Sequence, residues 1–181
     1  MSVDIHTIRK GKHTNISDGV QAACWKNPSK VAYKHGQKTR TYQELKQRID
    51  LTSGIIYKLS IPFECNIAIV ASNSIEYMEI VLAASQLGHP IATVNPKLTA
   101  NEIVSICEDA EAKLIFVDEK VATLLGGRNI SGVQGIIIIG NEMEALITRA
   151  ECPDQFPRVR EIETFTIPYT SGTTGKPRSE D

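Results

Sequence analysis

Four short apolar runs, each followed by a stretch of helical spacing, constrain this chain more than any other feature. Ile67–Ala71, Pro90–Val94, Leu114–Val117 and Gly135–Ile139 show almost no polar alternation, as strands covered on both faces require. Between them the apolar residues recur in steps of three and four. Tyr42, Leu45, Ile49, Thr52, Ile56 and Leu59 form one stripe of a helix that opens on Thr41-Tyr42-Gln43-Glu44, a capping box. Asn73 with Glu76 repeats that cap pattern before Ile75, Met78, Val81, Leu82 and Leu87, and Gly88 supplies a stop. Thr99 with Glu102 opens a third helix with Ile103, Ile106, Cys107 and Ala110 inward. Shorter helices are expected at Glu119–Leu125 and Glu142–Arg149. Strand and helix alternating at this interval need right-handed crossovers, which predicts an α/β fold: a mainly parallel sheet with helices on both faces.

Ahead of this pattern, Ile16, Val20, Ala23 and Cys24 fall at helical spacing, with Asn15 or Ser17 as cap and Pro28 ending the helix at Asn27. Val31–Lys34 and Lys38–Thr41 flank Gly36 as a small hairpin. Three organisational units follow: a flexible basic arm over 1–15 (Arg9, Lys10, Lys12), an α/β unit over 16–167, and a terminal loop over 168–181. Pro153, Pro157 and Pro168 break the periodicity after Ala150.

Charge and cysteine usage exclude several functions. Twenty Lys and Arg stand against 21 Asp and Glu, a net charge of −1, which offers no global field for nucleic acid or an anionic membrane. Four scattered cysteines (Cys24, Cys65, Cys107, Cys152) and four scattered histidines (His6, His13, His35, His89) lack the spacing of a zinc site or a disulfide framework, so no protein metal ligand is assigned. The opening residues lack a secretory apolar stretch and no run reaches membrane-spanning length; a cytoplasmic protein with no membrane insertion is expected. His89 reads as a turn or surface residue, Cys107 as a small apolar filler, and Trp25 as a packing anchor. Glu76 and Glu102 read as cap partners rather than general acids, and no catalytic residue is assigned.

One segment carries chemistry: Tyr169-Thr170-Ser171-Gly172-Thr173-Thr174-Gly175-Lys176-Pro177-Arg178. Gly172 and Gly175 free the backbone so that consecutive amides can face one anion. The hydroxyls add donors, and Lys176 and Arg178 add charge. It is not a Walker P-loop, because Thr170 stands where the first glycine belongs and Pro177 where Ser or Thr belongs. By composition alone it reads as a flexible linker. A doubly wound dinucleotide fold would need a glycine-rich turn after its first strand, and Ser72-Asn73-Ser74 has none.

The order of residues decides otherwise. Tyr-Thr-Ser-Gly-Thr-Thr-Gly-Lys-Pro resembles the signature loop of the adenylate-forming superfamily, the AMP-binding enzymes. Arg40–Leu45 is similar to the family's Thr-Tyr-x-Glu-Leu helix opening, Asn73–Tyr77 to its Asn-Ser-x-Glu segment, and Asn95–Thr99 with Glu102 to the Asn-Pro-x-Leu-Thr-x-x-Glu stretch of acyl-CoA ligases. The resemblance covers about residues 16–178. It implies the N-terminal subdomain of an ATP-dependent acyl-CoA (fatty or aryl acid) ligase of lipid metabolism. Such an enzyme makes an acyl-adenylate from ATP and a carboxylic acid before transfer to a thiol. It also implies that Thr170, Ser171, Gly172, Thr173, Thr174, Gly175 and Lys176 bind the phosphates of ATP, with Mg2+ sharing the charge and coenzyme A as co-substrate. Two departures stand out: Arg178-Ser179 replaces the usual Lys-Gly, and Phe63-Glu64-Cys65-Asn66 replaces the usual Gly-Asp ahead of the first core strand. The adenine-stacking segment, ribose acid, acyl pocket and C-terminal lysine of the family have no counterpart here. The expectation is therefore an incomplete, truncated N-terminal part, inactive alone, with 168–181 mobile. The alternative is a non-catalytic module that associates with itself or a complementing chain through exposed apolar surface.

Overall fold

A computed structural model describes residues 16–160, 163–170 and 178–179. Helix α1 (Ile16–Lys26) leads into an antiparallel hairpin, β1 (Val31–His35) and β2 (Lys38–Thr41), and then into α2 (Tyr42–Lys58). The core alternates β3 (Ile67–Val70), α3 (Ile75–Leu87), β4 (Ile91–Val94), α4 (Ala100–Asp109), β5 (Leu114–Val117), α5 (Glu119–Leu125), β6 (Gly135–Ile138) and α6 (Asn141–Thr148). Two strands close the described chain, β7 (Thr166–Thr170) and β8 (Arg178–Ser179). The main sheet runs β6-β5-β3-β4-β7-β8, with the first five parallel and β8 antiparallel to β7.

Successive strand residues feed opposite cores. Ile67, Ile69, Ile91, Leu114 and Phe116 face α2, α3 and α6, while Ala68, Val70, Ala92, Ile115 and Val117 face α4 and α5. This is the two-sided sheet that the unbroken apolar runs require. The crossover from β3 passes on the first face and that from β5 on the second, so the topological switch lies between these adjacent strands.

The caps account for most helix starts. Thr41 and Thr99 each complete a capping box with Glu44 and Glu102. The cap of α3, however, is Ser74, whose Oγ accepts from Tyr77 N at 3.0 Å, and not Asn73; Glu76 takes Lys38 Nζ at 2.9 Å. Gly88 ends α3 in the left-handed region at φ 75°, where a Cβ would sit 2.6 Å from the Phe63 ring.

Several expectations fail for one reason: contacts from distant segments decide exposure. Leu59, placed on the buried stripe, is the exposed C-cap of α2, and Trp25 lies on the surface. His89, read as a surface residue, is buried, with Nδ1 3.1 Å from the Cys65 carbonyl. Its burial lowers its pKa. Cys107 is the buried filler expected, with burial pushing its thiol up to about 12. β7 begins at Thr166, so the strand runs across position 168, where the terminal loop was placed. Pro168 is tolerated because β7 pairs with β4 only through Thr166, Ile167 and Pro168 itself.

One polar cluster lies within the apolar layer. Glu79, with a fully buried side chain, accepts from Arg40 Nε at 3.2 Å and Arg48 Nε at 2.8 Å. Arg48 also forks onto Glu144 at 2.7 and 2.6 Å, tying α2 and α3 to α6.

Candidate functional site

All five parallel strands end at one edge of the sheet, the position where α/β folds place ligands. Residues that follow the strands there are Ser72, Asn95, Asp118 and Gly140, and β7 ends there in Thr170. Each is fixed by local chemistry. Asp118 caps α5 through Oδ1, which accepts from Val121 N at 3.0 Å; its Oδ2 accepts from Ser72 N at 3.1 Å. One carboxylate therefore closes the switch between β3 and β5. Asn95 Oδ1 accepts from Lys97 N at 3.0 Å, an Asx turn that leads Pro96 into the Thr99 cap. Hydrogen bonds from the Thr99 side chain and amide hold the Glu102 carboxyl below its usual range.

Of the residues assigned to phosphate binding, the structure places Thr170. Thr93 and Pro168 are the last pair of the β4–β7 ladder; Asn95 follows β4, and Thr170 ends β7. Two of the sequence segments, Asn95–Thr99 and the start of the glycine-rich segment, thus begin at the same edge of the sheet. Thr170 in turn faces Arg178 across the β7–β8 ladder, so the chain leaves the sheet at Thr170 and returns opposite it. Ser171, Gly172, Thr173, Thr174, Gly175 and Lys176 lie outside the described residues, as does the arm over 1–15.

The sequence reading missed two contacts in this half of the molecule, Tyr169 with Asp109 and Asp118 with Ser72. Tyr169 packs against the core on the α4 and α5 side and donates its hydroxyl to Asp109 Oδ2 at 2.8 Å. Nothing in the spacing of residues 109 and 169 signals this pair. The Asp118–Ser72 bridge is different: an Asp directly after the apolar run Leu114–Val117 is a legible helix cap.

A groove of about 1150 Å³ lies elsewhere, between α2, β6, α6 and residues 150–155, with three strands separating β6 from β7. Tyr57, Leu59, Ile136 and Leu146 expose apolar surface along it. Gly54 lets the backbone of Glu151 pass against α2, since a Cβ there would fall on the Glu151 carbonyl oxygen. Among the described residues no group of three or more His, Cys, Asp or Glu could hold a metal ion, and no helix is long and apolar enough to cross a membrane.

A family model described as AMP-binding enzyme matches residues 20–179, nearly the whole chain. This chain belongs to that family. Its sequence is 26% identical over 165 residues to a 2-succinylbenzoate–CoA ligase of Geobacillus kaustophilus, covering 91% of this chain and 32% of that enzyme. It spans about a third of the length of that curated relative. The fold matches an anthranilate CoA ligase solved with anthranoyl-AMP, at TM-score 0.86 and 17% identity, over 95% of this chain and 35% of that one. It also matches a Mycobacterium tuberculosis fatty acyl CoA synthetase at TM-score 0.82 and 19% identity, over 91% of this chain and 34% of that one. Isolated N-terminal domains and subdomains of such enzymes are among the matched structures. The α/β architecture expected from the alternating runs is therefore the fold of the N-terminal subdomain of adenylate-forming enzymes.

Proposed function

We propose that this chain is the opening third of an ATP-dependent acid–thiol ligase, and that Thr170–Lys176 binds the triphosphate of the nucleotide. One observation carries the reading. The segment Tyr169–Pro177, whose order of residues resembles the family's signature loop, starts where β7 reaches the edge of a parallel sheet at which α/β folds place ligands. Phosphoryl chemistry of this kind needs positioned donors and charge neutralisation more than a protein nucleophile. Thr170, Ser171, Thr173 and Thr174 supply hydroxyls, Gly172 and Gly175 supply backbone freedom, and Lys176 supplies charge. Magnesium would arrive on the nucleotide. Bound there, it would offset phosphate charge while the chain's own residues orient the leaving pyrophosphate.

The substrate is a carboxylic acid of the fatty or aryl class, activated as an acyl-adenylate and passed to coenzyme A. The aromatic acids named for two of the similar ligases support the aryl member of that pair. A cytoplasmic location suits such a substrate set. By itself the chain forms no adenylate, because an acyl pocket and an adenine platform lie in parts of the family with no counterpart in these residues. Pyrophosphate exchange with a panel of aliphatic and aromatic acids is expected to stay at background, and robust exchange would overturn this.

The second reading, a module that pairs with itself or a complementing chain, is favoured by the apolar groove at the free edge of β6. It predicts concentration-dependent association by light scattering, abolished by Leu146→Glu.

A further inference from the structure

β7 parts from its neighbour early. Its ladder with β4 covers Thr166, Ile167 and Pro168, and Pro168 has no N–H with which to extend it. Tyr169 and Thr170 pair instead with Ser179 and Arg178, in an antiparallel ribbon at the margin of the sheet. At this point a side chain fastens the ribbon to the body. The Tyr169 ring lies on the core formed by α4, α5 and the sheet, and its hydroxyl reaches Asp109, the last residue of α4, at 2.8 Å. Burial and then the Asp109 carboxylate raise the phenol's pKa, so the hydroxyl keeps the proton it donates throughout ordinary pH.

A phosphate cradle depends on donors aimed before the anion arrives, so the residue that fixes the root of the segment sets the aim of all that follow. We propose that Tyr169 and Asp109 form a positioning pair that holds the base of the β7–β8 ribbon in the register a triphosphate requires. This rests on the phosphate-binding reading of Thr170–Lys176. Neither residue touches the reacting atoms. The pair acts through Thr170, and its hydrogen bond links that residue to a rigid helix whose other end is fixed by the Thr99–Glu102 box.

Two readouts on the whole chain test it, with Tyr169→Phe, Asp109→Ala and Asp109→Asn as variants. Asparagine keeps an oxygen acceptor without the charge, so it separates position from electrostatics. The first readout is amide exchange without nucleotide. Tyr169→Phe and Asp109→Ala should speed exchange at Thr170, Arg178 and Ser179 by about fivefold, as loss of one hydrogen bond implies, and leave α2 and α3 unchanged. Asp109→Asn should match wild type. Unchanged exchange in the first two variants overturns the anchor. The second readout is titration with magnesium ATP. Tyr169→Phe and Asp109→Ala should weaken binding about fivefold, with Asp109→Asn again near wild type and the double variant no worse than either single. Equal affinity across the series overturns the positioning role even where exchange responds. A wild-type chain with no affinity for magnesium ATP, but with the exchange response intact, refutes the phosphate-binding reading and the positioning role together while leaving the anchor itself demonstrated.

Discussion

The body of the molecule, Thr41–Thr148, and the segment after Ala150 are built on different principles. In the body, every strand from β3 to β5 has a neighbour on both sides, and both faces carry helices. After Ala150 the backbone is held at separated points and by one short ladder: Glu151 against Gly54, Phe156 and Phe165 on the α2–α3 side of the core, Thr166–Pro168 paired with β4, and Tyr169 on Asp109. The body is redundant, so single polar losses at its surface matter little. The final stretch has fewer contacts, and the glycine-rich segment continues from the end of β7. The segment for which phosphate binding is proposed is therefore adjacent to the packed body but separately secured.

Breaking the body should cost most. Phe116 is fully buried in the central sheet, and Phe116→Ala should lower stability by about 3–5 kcal/mol, read by urea denaturation. Glu79→Ala should approach that figure. It leaves Arg40 and Arg48 without their buried partner, and loss of one member of a buried pair costs about 3–5 kcal/mol. A change below about 1 kcal/mol would show that these ions are solvated rather than buried.

Gly54→Ala acts on the junction between the two regions. The added methyl must displace Glu151, and a cost of about 1–3 kcal/mol is expected, with faster proteolysis between Ala150 and Gln155. An unchanged melting temperature would mean that the segment is not seated on α2.

A smaller effect follows from pH. Burial depresses the folded-state pKa of His89 below the ordinary imidazole value of 6.5, so the unfolded chain binds more protons as pH falls through that range. The stability that depends on neutral His89 is complete above pH 6.5 and is lost as pH drops from there toward the folded-state value. Melting curves between pH 7.5 and 5.5 should show this slope, and His89→Gln should flatten it. The opposite slope would mean that a partner stabilises the charged ring.

Much of the body was legible because its signals are local. Capping boxes at Thr41 and Thr99, the stop at Gly88 and the unbroken run Leu114–Val117 each state their structure within a few residues. Errors came where two local answers compete or where a distant segment arbitrates. Asn73 and Ser74 are both good caps, and only the backbone decides for Ser74. The exposure of Leu59 and burial of His89 depend on which loop passes over them, and β7 on pairing with a strand more than seventy residues earlier. Glu79 left a faint trace as a charge among Ile75, Met78, Val81 and Leu82. The glycine-rich segment carries its resemblance to the family in its own order of residues, whereas the hydrogen bond from Tyr169 to Asp109, sixty residues apart, leaves no local signal.

The central claim is that Thr170–Lys176 receives a triphosphate. Amide-resolved NMR titration of the chain with magnesium ATP, with AMP and inorganic tripolyphosphate alongside, tests it most directly. Shifts concentrated at Thr170–Lys176, produced by ATP and tripolyphosphate but not by AMP, are expected. Shifts centred on the groove of Tyr57 and Leu146, or equal shifts with AMP, would contradict it.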